Sequence, residues 1–274
     1  MPAAKVSDLH RTAFVTGASS GLGAAFVEML LADGVQVWGT ARDTARLAGR
    51  EKFSPVALDL ADPVAAERIF LAAAGAAGGA FDLVIHNAGY GVFGPYAAAD
   101  FAVWQAQLEG MLLATLRLAH AALRPMLARR RGCLVNISSI AAEFPLPFMS
   151  GYNAAKAGLS AFSESLAIET RGTGVSVIDF RPGDYRTPFN QAMRHPSAEL
   201  NEIETRVWQR LEANLLAAPP PARAAADLRR ALLCGRGGTV RSGSFFQARL
   251  APLLARAAPL AVRQAALRMY YGIR

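Results

Sequence analysis

Cysteine is nearly absent. The 274-residue chain has two, Cys133 and Cys234. Two thiols cannot build the disulfide framework of a small secreted fold, so they predict a reducing, cytoplasmic setting. Charge is sparse too, at 18% of residues against 53% hydrophobic ones, which excludes a disordered polyelectrolyte. Long uncharged apolar runs are missing. Arg117 interrupts the best candidate before it reaches the roughly 18 residues that a membrane-spanning helix needs. The first dozen residues are too polar to read as a secretion signal. No metal site is expected, because neither cysteine has a CxxC partner and His86 has no ligand partner near it in sequence.

Acidic residues run out toward the C-terminus. Residues 222–274 hold ten arginines and one acid, Asp227, while residues 1–221 hold 19 basic and 20 acidic groups. The net charge of +8 therefore belongs to the tail. The tail carries no recognised nucleic-acid motif or stacking platform, so no nucleic-acid partner is expected. Its leucines and arginines surround Pro252 and Pro259, which suit the first positions of two short helices. Such a segment packs on the body or on a second subunit, or it lies peripherally on an anionic membrane.

Short β-rich apolar runs alternate with longer Ala/Leu-rich stretches. Strands are expected at residues 12–16, 35–40, 54–58, 83–86, 133–138 and 175–180. Helices are expected at 22–32, 63–74, 101–128 and 152–170. Strands separated by helices pair in parallel, because a crossover must carry the chain back. Near-continuous apolar strands such as Leu83-Val-Ile fit a sheet covered on both faces. The fold class is therefore α/β, a three-layer doubly wound parallel sheet with its site at the carboxyl ends of the strands. The Pro219-Pro220-Pro221 run reads as a boundary or stiff connector.

Thr16-Gly17-Ala18-Ser19-Ser20-Gly21-Leu22-Gly23 lies between the first strand and the first helix. Glycines there permit a tight turn and close approach of backbone to a pyrophosphate, and the helix start supplies N–H donors. Gly17, Ser19, Ser20, Gly21, Leu22 and Gly23 are thus candidate nucleotide ligands. At the end of the second strand, Ala41 stands where an acid would bind the ribose of NAD, and Arg42 follows. An arginine there accommodates a 2′-phosphate, which favours NADP(H) over NAD(H). Asp59 and Leu60, after the third strand, stand where adenine would lie. Tyr152 and Lys156 are four apart and share one face of a helix, with Ser139 thirteen residues earlier at a strand end. A phenol beside an ammonium, plus a hydroxyl to hold a carbonyl oxygen, is a workable acid/base set for hydride transfer.

Thr16–Gly23, Asn87-Ala88-Gly89, Ser139, Tyr152/Lys156 and the Pro182–Thr187 segment occur in the order and spacing of the short-chain dehydrogenase/reductase family, which residues 11–190 resemble. The resemblance implies a Rossmann-type seven-stranded sheet and NAD(P)-dependent carbonyl/alcohol chemistry in a homodimer or homotetramer. It implies that Tyr152 is the general acid/base, that Lys156 lowers its pKa and holds the nicotinamide ribose, and that Ser139 binds the substrate oxygen. It further implies that Asn87, Ala88 and Gly89 line the adenine ribose side, and that Pro182, Gly183, Tyr185 and Thr187 flank the carboxamide. It divides the chain into a Rossmann-type domain at 1–244, with a substrate lid near 188–221, and a basic helical extension at 245–274. Tyr90, Met111, Glu143, Phe144, Tyr185 and Phe189 fall beside the nicotinamide end and suggest a hydrophobic small-molecule substrate. Two departures stand out: His86 replaces an asparagine before Asn87, and Met111 occupies the position of the relay asparagine. The leading expectation is an NADPH-dependent ketone or aldehyde reductase. The alternative, prompted by Met111, is a non-redox isomerase, dehydratase or cyclase in the same pocket.

Overall fold

The structure is a computed structural model that describes residues 4–47, 49–195 and 199–273, so lid positions 196–198 and the terminal Arg274 lie outside the description. Six strands follow one another, through α-helical crossovers except between the second and third, where a single 3-10 turn intervenes: β1 (Thr12–Val15), β2 (Gln36–Ala41), β3 (Phe53–Ala57), β4 (Leu83–His86), β5 (Gly132–Ile137) and β6 (Val175–Pro182). A seventh, β7 (Gly238–Ser242), pairs with β6 at the edge. All pairings are parallel, in the order β3-β2-β1-β4-β5-β6-β7. The order reverses between β1 and β4, which opens a crevice at their carboxyl ends.

Strand periodicity explains why the sheet is covered twice. Ala13 and Val15 of β1, Leu83 and Ile85 of β4, and Cys133 and Val135 of β5 face one apolar cluster. Phe14, Val84 and Leu134, the residues between them, face another. The first face is closed by α1 (Gly21–Ala32), with Phe26 and Leu30, and by α7 (Pro221–Cys234), with Leu228 and Leu232. The second is closed by α2 (Pro63–Ala76) and α4 (Ala114–Ala128), and by Leu166 of α5 (Ser150–Glu169). Phe14 is fully buried there, its ring 4.9 Å edge-on from Phe70 and 5.2 Å from Phe81.

Several expected boundaries shift. The helix expected over 101–128 is two helices, α3 (Phe101–Leu108) and α4, joined by a π-helical turn at Glu109–Leu113. Ala114 N–H reaches back five residues to the Glu109 carbonyl, which inserts one residue into the turn that carries Met111. The proline run is a boundary only in part. Pro221 is the first residue of α7, where its missing N–H has no partner to lose. A further helix, α6 (Glu202–Ala217), begins at a capping box of Asn201 and Glu204. The tail forms α8 (Ala251–Ala257), after a π turn at Phe246–Leu250, and α9 (Leu260–Tyr270). Pro259 precedes α9 as its N-cap, and Pro252 is the second residue of α8, so both prolines sit one place from the expected first position. No helix among the described residues is long and apolar enough to cross a membrane.

Candidate functional site

The glycine-rich loop leaves β1 and is stapled to the end of β4. Asn87 N–H and Ala88 N–H both donate to the Thr16 hydroxyl, at 2.9 and 3.0 Å. The Asn87 amide donates to the carbonyls of Thr16 and Gly17, at 3.0 and 3.2 Å. Close approach demands glycine here. A Cβ on Gly23 would fall 2.0 Å from the Gly17 carbonyl oxygen, and Gly17 itself has φ +67°. At the start of α1, Ser20 makes no side-chain cap and the first turn holds no acid. The N–H groups and positive end of that helix are therefore left for a ligand, which is what a pyrophosphate requires. Ser19 and Ser20 are exposed, and Leu22 is half-buried against the core beneath.

Arg42 is exposed one residue past β2, and among the described residues its guanidinium forms no ion pair. Asp59 is exposed after β3 and accepts from Ala61 N–H at 3.0 Å, closing its own turn. Leu60 packs against the second core cluster. Thr187 stands beside the loop, since a Cβ built on Gly21 would lie 3.5 Å from its side chain. The cradle thus offers close backbone approach, an uncapped helix start and a cation at the β2 end, and these residues fit a dinucleotide.

Ser139 lies two residues past β5 and caps the short turn Ile140–Ala142, its hydroxyl accepting from Ala141 N–H at 3.0 Å. Tyr152 and Lys156 come from the first two turns of α5 and are 9% and 5% exposed. Lys156 Nζ donates to the Ile137 carbonyl at 2.7 Å and lies 5.7 Å from the Tyr152 ring centre. Burial pushes the Tyr152 phenol up to about 12, the Ser139 hydroxyl works against that, and the Asp184 carboxylate adds to it. Burial pushes Lys156 down to about 8, with Asp179 opposing. Desolvation therefore sets the direction of the Tyr152 shift, and the opposing group is the Ser139 hydroxyl rather than the lysine expected to lower it.

A third apolar cluster stands over this catalytic end. It contains Tyr152, Met111, Phe93, Met149, Met193, Val207 and Leu211, with Tyr90 and Phe189 packed against it. The Phe189 ring meets Tyr152 edge-on at 5.7 Å. Met111 lies in the π turn, and its carbonyl accepts the Thr115 hydroxyl at 2.9 Å. Its methyl and the Lys156 ammonium stand 3.3 and 3.6 Å from the point where a Cβ of Gly89 would be. A larger residue at 89 would meet both.

Three expected pocket residues lie elsewhere. Tyr185 is buried in the core under α1 and α7, its hydroxyl 2.5 Å from that of Ser242. Glu143 gives its carboxylate to Arg181 and Arg241, at 2.5 and 2.7 Å. Phe144 is half-buried and stands apart from the cluster. Pro182 closes β6, and Gly183 N–H donates to the Ser242 carbonyl at 2.7 Å. His86 Nδ1 is 2.8 Å from the Asn136 side-chain oxygen, and burial holds the ring's pKa down near 4, so this neutral ring serves the sheet. Among the described residues no group of three His, Cys, Asp or Glu is placed to hold a metal.

The sequence reading missed what lies behind the lysine. Asp179 is buried and accepts from the hydroxyls of Ser138 and Ser160 and from Arg181 Nε. Arg181 continues the chain to Glu143 and Glu164. An acid and a base two apart within the apolar β6 run were the available signal, since buried charges occur in pairs.

The short chain dehydrogenase family model matches residues 11–198. A short chain dehydrogenase from Pseudocercospora fijiensis is 32% identical over 206 residues, covering 69% of this chain and 66% of its own length. An uncharacterized oxidoreductase from Myxococcus xanthus is 35% identical over 208 residues, covering 72% of this chain and 81% of the relative. Among solved structures, a short-chain dehydrogenase from Streptomyces avermitilis superposes with a TM-score of 0.79 at 28% identity, over 98% of this chain and 99% of that one.

Proposed function

Because this chain belongs to the short-chain dehydrogenase family of NAD(P)-binding oxidoreductases, we propose that it catalyses NADPH-dependent reduction of a ketone or aldehyde on a hydrophobic small molecule. The observation that carries this reading is the convergence of Ser139, Tyr152 and Lys156 under an apolar roof, beside a glycine cradle with an uncapped helix start. Bound in that cradle, the cofactor supplies a hydride to the carbonyl carbon. Tyr152 gives its phenolic proton to the carbonyl oxygen. Ser139 holds that oxygen, and Lys156 presents its ammonium behind the tyrosine. A phenol pushed up to about 12 stays protonated at neutral pH, which suits the reductive direction. The reverse oxidation needs a phenolate and is favoured at higher pH. Arg42 supports NADPH over NADH by offering a cation to a 2′-phosphate. The apolar cluster excludes water and receives the body of the substrate. We read the functional form as a homo-oligomer.

Tyr152→Phe is the test. It should abolish carbonyl reduction while NADPH binding persists. Unchanged turnover would refute the role given to Tyr152.

A further inference from the structure

The basic tail first reads as an appendage to a neutral body. In the structure it runs back across the catalytic end. Gln247 clamps the segment after β6: its amide donates to the Asp184 carboxylate at 2.6 Å, and its oxygen accepts from Asp184 N–H at 3.2 Å. Arg263 of α9 donates to the Glu143 carbonyl at 2.9 Å, four residues past Ser139. Helix α9 is also fastened to α6. The Tyr270 hydroxyl donates to the Asn214 side chain and Arg206 donates to the Gly272 carbonyl, both at 3.0 Å.

These ties deliver Tyr271 to the site. It is 5% exposed and belongs to the same apolar cluster as Tyr152, Met111, Val207 and Leu211. Leu267 and Ile273 pack against that cluster on either side of it in sequence. Gly272, at φ +67°, makes the turn that sends Ile273 back inward. Burial raises the Tyr271 phenol, and the Asp184 carboxylate raises it further, as it does for Tyr152. One carboxylate therefore stands near both phenols. Among the described residues, the Tyr271 hydroxyl has no hydrogen-bond partner.

We propose that Tyr271 is a specificity-determining residue: α9 and the turn after it close the pocket, and the apolar body of the substrate lies against the Tyr271 ring. This rests on the carbonyl-reductase reading above. A tyrosine that merely fastens α9 to α6 would change stability without changing the choice between substrates.

The test uses the full chain loaded with NADPH, and two probes, 2-decanone and 2-butanone. Their Kd values are read from quenching of NADPH fluorescence in a Tyr152→Phe background, where no turnover consumes the cofactor, and their kcat and KM from NADPH consumption with Tyr152 intact. Wild-type protein should bind 2-decanone more tightly. Tyr271→Ala should weaken 2-decanone about tenfold, the scale of one well-packed aromatic contact, and move 2-butanone less than about twofold. Tyr271→Trp keeps the site filled and adds bulk, so it should lose 2-decanone and retain 2-butanone. It also carries the test if the alanine variant does not fold. Equal shifts for both ketones, or none, overturn the proposal. So does wild-type protein that does not prefer the longer ketone. If ketones bind but are not reduced, the reductase reading fails and the Kd comparison still decides the role of Tyr271. Wild-type protein that binds neither overturns both.

Discussion

Replacing Lys156 with methionine removes a buried ammonium and leaves a side chain of similar length. The lysine is 5% exposed, and burial lowers it from 10.5 to about 8. In the unfolded chain it titrates near its ordinary value of about 10.4. Below pH 8 both states hold the proton, and the native state carries the cost of burying it. Between pH 8 and 10.5 the native state releases the proton while the unfolded chain keeps it, so stability rises with pH across that window. The full difference is about 3 kcal/mol, of which about 2 kcal/mol is gained between pH 7 and 9.5. Tyr152 acts oppositely above pH 10. Its native phenol, at about 12, keeps a proton that the unfolded chain loses. The measurement therefore stops at pH 9.5. Urea unfolding of the cofactor-free wild type and of Lys156→Met, at half-unit pH steps, reads the effect. The stability of wild type relative to the variant should climb by about 2 kcal/mol over that range. Parallel pH profiles would mean a solvated Lys156, and would refute the burial argument for the whole catalytic end.

Two further outcomes follow from the site. Arg42→Ala should weaken NADPH about tenfold and leave NADH unchanged in a fluorescence titration, since the guanidinium serves only the extra phosphate; equal losses for both cofactors would contradict that role. Met111→Asn should leave carbonyl reduction equal to wild type or faster, because the Met111 carbonyl already has the Thr115 hydroxyl and the thioether offers only a weak acceptor. A collapse of activity in that variant would mean that the pocket needs the apolar bulk of the methionine at this position.

The sheet was legible because its code is local. Alternating and continuous apolar runs mark β1, β4, β5 and β6, and the connections between them, loops and the start of α5, hold the glycines, Ser139, Tyr152 and Lys156 in sequence order. β7 was not legible, because Gly238-Thr-Val-Arg-Ser has little apolar content and becomes a strand only by pairing with β6 at the edge. The break in the long helix escaped because one inserted residue in a π turn leaves the 3.6-residue pattern nearly intact. Tyr185 and Glu143 lie at positions where the resemblance predicts a pocket. Ser242 and Arg241, on the unrecognised strand, draw both side chains away from it. The tail was hardest to read. Gln247 meets Asp184 across 63 residues and Arg263 meets Glu143 across 120, so no local pattern announces either contact. Charge counting from residue 222 onward took in α7 and β7, which belong to the sheet and its cover, and said nothing of where the rest docks.

The central claim is that hydride passes to a carbonyl carbon in this pocket. The direct measurement is label transfer. NADPH deuterated at the transferred position of its nicotinamide C4 is incubated with the protein and 2-decanone, and the product is examined by mass spectrometry. One deuterium on the new carbinol carbon, with stoichiometric NADP formed and none of either in Tyr152→Phe, is the predicted result. Label retained in the cofactor while the protein holds both ligands would contradict the account, and would point to non-redox chemistry in the same site.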